Sequence, residues 1–535
     1  MTRVRSVIGL LAAAATLAAC TSTSGGGDGA AGGPPGTSYE TGMIGADEAA
    51  GEPVQGGTVT YAAYSEPRVL DPADAIVAGA TGGIALAGIY DVLMRWDSER
   101  NEVVPQLAES LEANEDSTTW TLKLREGVTF SDGTPLDAAA VQWSLQRYVE
   151  EGGAEAALWS RNVTAVQTPD PRTVVVDLAT SWPSFDYLLT TGPGMIVARS
   201  AVAGDSFAPV GAGPFTFASH RPQEELVLEA NENYWDGRPN IDTFRAIFLS
   251  DQQAVQDSLN SGSVNMAMLR DPDVVDERLT AGSSGFLNMV ALGSVAAINA
   301  SEGRPGSDPR VRKAMQMAID PNVIQERTFD GAGVASSAIF PEYSRWHTDV
   351  APLPHDPDQA RALLDQAKAE GYDGKIVYSD GQDPASRQAA LAVKASLEAV
   401  GFTVELDLLR SVADQTRKAQ ADQDYDVIGW GISWREAGPF ARMFTTLHSE
   451  GNSTVGMATS PEMDALFAEF QTAASEQQQH EIMGRIQQQW NELVPALVYG
   501  PIPELVTWSD TVHGIEGSSN SLVLLDDAWV AAPAG

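Results

Sequence analysis

The run Gly429-Trp430-Gly431-Ile432-Ser433-Trp434-Arg435-Glu436-Ala437-Gly438-Pro439-Phe440 holds the residues best suited to recognise a small molecule. It combines two indoles, backbone left bare by glycine, a hydroxyl and one charge of each sign. Apolar walls with a few polar groups that fix orientation are what a ligand pocket needs. Glu436 facing a cleft would hold an ammonium through a charge-assisted hydrogen bond worth about 1.5–3 kcal/mol. Facing solvent, the same pair is worth about 0–1 kcal/mol. Trp434, set between polar neighbours, is expected to line the cleft, whereas Trp430 fits a core and a cleft equally well. Gly431, Ile432 and Ser433 complete this wall. Tyr64, Ser65 and Glu66 follow another strand and are expected to meet the ligand from the opposite side. Asn299 closes the apolar run 294–298 and marks a crossing between halves of the molecule, with structural and binding roles equally open. Trp159 and Trp346 sit in loops, as lid residues or as packing.

Bond-making chemistry finds no comparable constellation. No two of the six histidines, His220, His347, His355, His448, His480 and His513, stand at the i, i+4 spacing of metal and zinc-hydrolase sites. There is no Gly-x-Ser-x-Gly elbow, and Gly331-Ala332-Gly333 stops short of a dinucleotide loop. With 72 carboxylates in the chain, a pair of acids by itself points to no glycosidase. The single cysteine, Cys20, excludes an internal disulfide and any cysteine-based metal site. Neither metal nor cofactor is expected, and nothing in the motifs argues for a surface hydrolase.

The charge balance narrows the partners. A net charge of -39 repels nucleic acid and anionic membrane surfaces. It reads first as a high-solubility surface and second as a cleft for cations. At 535 residues the chain exceeds one hydrophobic core and calls for two large lobes or three domains.

The N-terminus carries an export pattern. Arg3 and Arg5 precede a short apolar run, and Leu17-Ala18-Ala19 leads into Cys20. This stretch resembles the lipobox of bacterial lipoproteins, which implies removal of residues 1–19 and lipidation of Cys20. Residues 20–54, rich in Gly, Ser and Pro, are expected to form a flexible tether with an end-to-end distance of about 30 Å.

The elements that position the candidate wall follow from periodicity and punctuation. Strands are expected at 58–62, 119–125, 225–228, 246–249, 375–378, 402–408 and 426–430, with two more between 163 and 179. Helices are expected from the cap Asp137, over 308–319, over 357–369 after Asp356, over 387–400, 461–470 and 477–493. Alternating strands and helices in the second half imply an α/β lobe whose ligands sit at the carboxyl ends of the strands, which is where Trp430 falls.

Ordered motifs then define a resemblance. They are Gly56-Gly57-Thr58, Leu70-Asp71-Pro72, Ile89-Tyr90-Asp91-Val92-Leu93, Pro105-Gln106-Leu107-Ala108-Glu109-Ser110, Trp120 through Leu136, Val210-Gly211-Ala212-Gly213-Pro214-Phe215, Asn233-Tyr234-Trp235-Asp236-Gly237-Arg238-Pro239 and Asp308-Pro309-Arg310-Val311-Arg312-Lys313-Ala314. Together the chain resembles the family 5 extracellular solute-binding proteins, the dipeptide, oligopeptide and nickel binders of ABC importers. The resemblance implies an α/β, two-lobed periplasmic-binding-protein type II-like fold of cluster C with an extra domain inserted in lobe I. Lobe I is expected over 55–85, 205–290 and 500–535, the inserted domain over 86–204 and lobe II over 291–499. It implies a lipid-anchored, monomeric, extracytoplasmic binder of a small organic ligand, most simply a di- or oligopeptide, whose partners are that ligand and the importer's permease. Nickel-chelate, oligosaccharide and glycolipid cargoes, and a scaffolding lipoprotein that no longer transports, are the alternatives. Peptide binders of the family offer an aspartate to the ligand's amino terminus shortly before an Asp-Pro pair. Here Ser433-Trp434 stand where that acid is expected and the pair has become Gly438-Pro439, with Glu436 the candidate to replace the acid and its role open.

Overall fold

The computed structural model describes residues 39–45, 51–249 and 251–531. A twelve-stranded mixed sheet runs through them. Its main path is Phe215–Arg221, Glu225–Ala230, Thr243–Phe248, Thr58–Ala63, Met266–Leu269, Ala496–Trp508, Ser284–Ile298, Val427–Trp430, Lys375–Gly381 and Thr403–Leu409. Two strands in the middle carry the architecture. Ser284–Ile298 has 15 residues and, at about 3.4 Å per residue, spans roughly 50 Å. It pairs antiparallel with Ala496–Trp508 from Ser284↔Trp508 to Ala297↔Ala496.

This ladder is interrupted between Val290 and Ser294. Leu292 has φ +53°, a left-handed conformation that a branched residue adopts only under constraint, and Gly293 follows it. On the partner strand the sequence at the same level is Gly500-Pro501-Ile502-Pro503, whose two prolines donate no ladder hydrogen bonds. The bulge divides the sheet into two halves with separate cores. One half packs Tyr61, Phe215, Phe244, Phe286 and Trp508. The other packs Ile376, Tyr378, Val393, Leu397 and Val427 between helices Pro309–Ala318, Pro357–Ala369 and Pro384–Ala399. The molecule therefore has two lobes joined by two continuous strands.

A third body hangs on the first lobe. The antiparallel sheet Ala108–Ala113, Thr119–Leu124, Thr173–Leu178 and Val163–Asp170 is covered by helices Ala138–Glu150 and Ala156–Asn162. Its apolar core continues into second-lobe helices Phe440–Leu447, Pro461–Thr472 and Glu476–Leu493. Trp182 meets Phe440 edge-on at 5.3 Å, and Gln471 donates to Asn162 at 2.7 Å.

The ordered motifs prove to be the joints of this assembly. Asp71 pairs with Arg147. Tyr234 donates to Asp91 at 2.7 Å, and the Arg125 guanidinium lies 4.1 Å above Trp235. Gly213 donates to the Ile89 carbonyl at 2.9 Å, and a Cβ there would collide with the backbone of Gly88 and Ile89. Helix starts follow the capping acids: Asp137 accepts from the Ala140 amide and Asp356 from that of Gln359.

The described part of the stretch expected as a tether departs from a coil. Gly42–Ile44 adds antiparallel to Ser284–Ile298 against Gly285–Leu287, the Tyr39 hydroxyl donates to Asp276, and Thr41 accepts from the Met289 amide at 3.0 Å. A buried tyrosine and an available strand edge outweigh the glycine-rich composition that suggested slack. Cys20 and the export pattern lie outside the described residues.

Candidate functional site

The parallel strands Lys375–Gly381, Thr403–Leu409 and Val427–Trp430 end on one side of the second lobe. Beyond those carboxyl ends lies a cavity of about 920 Å³. This falls in the range of roughly 300–1,000 Å³ that small-ligand sites occupy. The second lobe contributes Asp380, Arg410, Gln415, Trp430 and Ser433; the first contributes Tyr64, Arg270 and Asp271; the bulge region of the two crossing strands, Gly293, Ser294, Tyr499 and Ile502, forms the floor. Any relative movement of the lobes about the crossing strands changes the shape of this cavity.

Of the residues singled out in the sequence, Trp430, Gly431, Ser433 and Tyr64 line it. The loop is fixed to the bulge: the amides of Ile432 and Ser433 donate to the Leu292 carbonyl at 3.1 and 3.3 Å, and Arg442 donates to the Ile432 carbonyl at 3.0 Å. Trp430 is partly exposed, while Ile432 is buried beneath the loop.

Other expected residues lie elsewhere. Trp434 is fully buried, packed among Phe340, Phe467 and Trp490, with its indole donating to Thr446 at 3.1 Å. Its polar neighbours in sequence face other directions because Trp434–Arg435 is a short strand paired with Ser284–Ile298. Glu436 is buried away from the cavity lining, and one of its carboxyl oxygens has no hydrogen-bond partner. Burial pushes its carboxyl up to about 7. Ser65 donates to the Ala80 carbonyl at 2.7 Å, and Glu66 accepts from the Gln223 amide at 3.1 Å and pairs with His220. Asn299 is buried and ties down the chain at the Gln423 and Tyr425 carbonyls, at 2.9 and 3.1 Å. Trp159 and Trp346 are packing residues, against Phe185 and Phe470 respectively.

Arg270 and Asp380 reach the cavity, and a buried Glu504 stands behind Arg270. Glu504, on the crossing strand Ala496–Trp508, lies between Arg435 at 2.9 Å and Arg270 at 3.1 Å and accepts from Ser521. Burial alone would raise Glu504; Arg435 and then Arg270 outweigh it and hold the carboxylate below its ordinary range. Arg270 also stacks on Tyr64 at 4.8 Å. In the second lobe Asp380 accepts from the Gly381 amide at 2.8 Å and from the Tyr378 hydroxyl at 3.1 Å. Burial pushes its carboxyl up to about 7 against those two donors, with Asp383 adding to the rise. The rule that led to Trp430, ligands at the carboxyl ends of strands, applies equally to Ser379-Asp380-Gly381 and would have found this acid. No cluster of three or more metal-ligating side chains exists among the described residues, and no described helix is long and apolar enough to cross a membrane.

With the geometry in place, comparison with known proteins is direct. Residues 102–454, more than half of the chain, match the model of the bacterial extracellular solute-binding proteins, family 5, and the chain belongs to that family. A probable D,D-dipeptide-binding periplasmic protein of Escherichia coli is 25% identical over 388 residues, 68% of this chain and 73% of the relative. The heme-binding protein A of Haemophilus influenzae is 23% identical over 450 residues, 77% of this chain and 81% of the relative. Among solved structures, the oligopeptide-binding protein AppA of Bacillus subtilis, in complex with a nonapeptide, superposes with a TM-score of 0.76 at 20% identity, covering 90% of this chain and 100% of that one. The fold is thus the two-lobed type II periplasmic-binding-protein fold with a domain inserted in the first lobe. The family binds solutes outside the cytoplasm and is not a family of enzymes.

Proposed function

We propose that this protein captures a peptide in the interlobe cavity and delivers it to the permease of an ABC importer, held at the membrane by lipid on Cys20. The observation that carries the reading is the cavity itself: about 920 Å³, walled by both lobes and floored by the two strands that join them. A ligand there touches both walls only when the lobes are closed, so its extra contacts favour closure. Driving a closed population from 1:99 to 99:1 requires about 5.5 kcal/mol, which a few buried polar contacts supply.

The lining suits a ligand with polar ends. Arg270, Arg410, Asp271, Asp380 and Asp383 face it, with Trp430 and Tyr64 as aromatic surfaces. That the cavity is unobstructed by side chains favours capture over a purely scaffolding role. The D,D-dipeptide-binding relative and the nonapeptide-bound structure support a peptide cargo. Native mass spectrometry of the protein purified from its host tests the reading. A co-purified peptide supports it; a tetrapyrrole, metal chelate or sugar replaces the cargo class while leaving capture intact. Cys20→Ser tests the anchor, since the substituted chain is expected in the soluble rather than the membrane fraction.

A further inference from the structure

Resting on the reading of the interlobe cavity as the cargo site, we propose that Asp380 is the acid that receives a cationic nitrogen of the cargo, so that the protein selects ligands with a free amine and the strand Lys375–Gly381, rather than the loop 431–440, supplies that selectivity. Asp380 lines the cavity yet is only 6% exposed. Its carboxylate accepts two hydrogen bonds, from Gly381 and Tyr378, and no cation forms an ion pair with it among the described residues. A buried carboxylate without a cation is costly unless a partner arrives.

Neither guanidinium that borders the cavity is paired with Asp380 among the described residues. Arg270, across the cavity, is engaged by Glu504. Arg410 follows the end of the neighbouring strand, where Gly381 pairs with Leu409, and is exposed. Tyr378 and Tyr499, whose hydroxyls lie 3.3 Å apart, close the floor on the buried side, and Asp383 caps the helix Pro384–Ala399 nearby. Asp271 and Asp383 also border the cavity and reinforce its preference for positive charge.

The neighbouring strand is shaped to leave room for this acid. Lys375–Gly381 and Val427–Trp430 run parallel with Tyr378 opposite Val427 and Ser379 opposite Ile428, which places Asp380 beside Gly429. A Cβ on residue 429 would sit on top of the Asp380 carboxylate. Glycine at 429 therefore admits the carboxylate to the wall. Ser433, in the loop position where the sequence pattern leads one to look for an acid, lines the same cavity without a charge.

The experiment offers the full-length protein a tryptic digest of casein in three forms: untreated, reductively dimethylated so that amines keep their charge, and acetylated so that they lose it. Retained peptides are read by native mass spectrometry for wild type, Asp380→Asn and Gly429→Ala. The expected result is that wild type retains untreated and dimethylated peptides at least tenfold better than acetylated ones, and that both variants, still folded by circular dichroism, lose that preference. Equal retention of acetylated and untreated peptides by wild type and variants overturns the role of Asp380 while peptide capture stands. Acetylated peptides held by wild type but lost from Asp380→Asn mark a shape requirement only and also overturn it. If wild type retains no peptide in any form, the peptide reading itself falls and this assignment falls with it.

Discussion

The Asp380 carboxylate occupies the space that a side chain at residue 429 would need, and Gly429 leaves it open. The pair joins two parallel strands at the edge of the cavity, one contributing an acid and the other its room. Replacing Asp380 by Asn should therefore change stability with a definite pH signature. Folded Asp380 titrates near 7, above its ordinary 3.8, because burial disfavours its charge. The folded state holds the proton more tightly than the unfolded chain, so the penalty is absent below about pH 4, grows as pH rises toward 7 and is constant above. Urea unfolding of wild type and Asp380→Asn should coincide near pH 4 and separate by pH 7.5. The variant should then be the more stable, by on the order of 2–4 kcal/mol from roughly 1.4 kcal/mol per pKa unit.

Ligand affinity should follow the same group in the opposite sense. As pH falls through about 7, Asp380 takes up its proton and an amine-bearing peptide loses its counter-charge. Titration calorimetry should show weaker binding at pH 5.5 than at pH 8 and no such trend for Asp380→Asn. Equal pH dependence in both proteins would assign the effect to another group.

Glu504 is the anchor of the crossing region. It is 1% exposed and stands between Arg435, whose strand pairs at Val290, and Arg270, which follows the strand Met266–Leu269. Glu504→Ala leaves two guanidinium groups without their shared carboxylate, and the loss should reach about 3–5 kcal/mol in denaturant unfolding.

The N-terminal segment should contribute measurably to the first lobe. Tyr39→Phe removes the hydroxyl donated to Asp276, whose carboxylate then accepts only from the Gly333 amide at 3.2 Å. A loss of about 1.5–3 kcal/mol is expected for a hydrogen bond to a charged group, read from the shift in the urea midpoint. Faster proteolysis in the 39–45 region should accompany it.

Gly438 closes the packing between two bodies far from the cavity floor. A Cβ on Gly438 would lie 2.6 Å from the Tyr187 ring, where the inserted domain meets the second lobe. Gly438→Ala should wedge these surfaces apart. Small-angle scattering should give a larger radius for the variant, and peptide affinity should drop at least tenfold.

Much of the fold was legible in the sequence because local signals and tertiary packing agree there. Asp137 and Asp356 precede apolar-periodic runs and cap helices as the pattern requires. The helix Pro357–Ala369 and the strand pair Val163–Asp170 and Thr173–Leu178 fall where periodicity places them. The candidate wall was legible only in part. Trp430 and Ser433 reach the cavity because they end a parallel strand, but Trp434 is drawn into the core by pairing with Ser284–Ile298, a contact about 140 residues away that no local pattern encodes. Glu436, expected to face either the cleft or solvent, is buried instead. Asp380 and Arg270 escaped notice because their meaning depends on three strands converging, and on Gly429 having no side chain, neither of which is visible at either position alone. Residues 39–44 read as coil because glycine dominates their surroundings, while two anchors, Tyr39 and Thr41, decide the outcome.

Cargo should be held between the lobes at the ends of the second-lobe strands. Determining the structure of the protein purified from its host with its cargo retained tests this most directly. The account predicts an amine-bearing peptide in contact with Asp380, Trp430 and Tyr64, spanning both walls. A cargo bound outside this cavity, or one touching a single lobe, would contradict it.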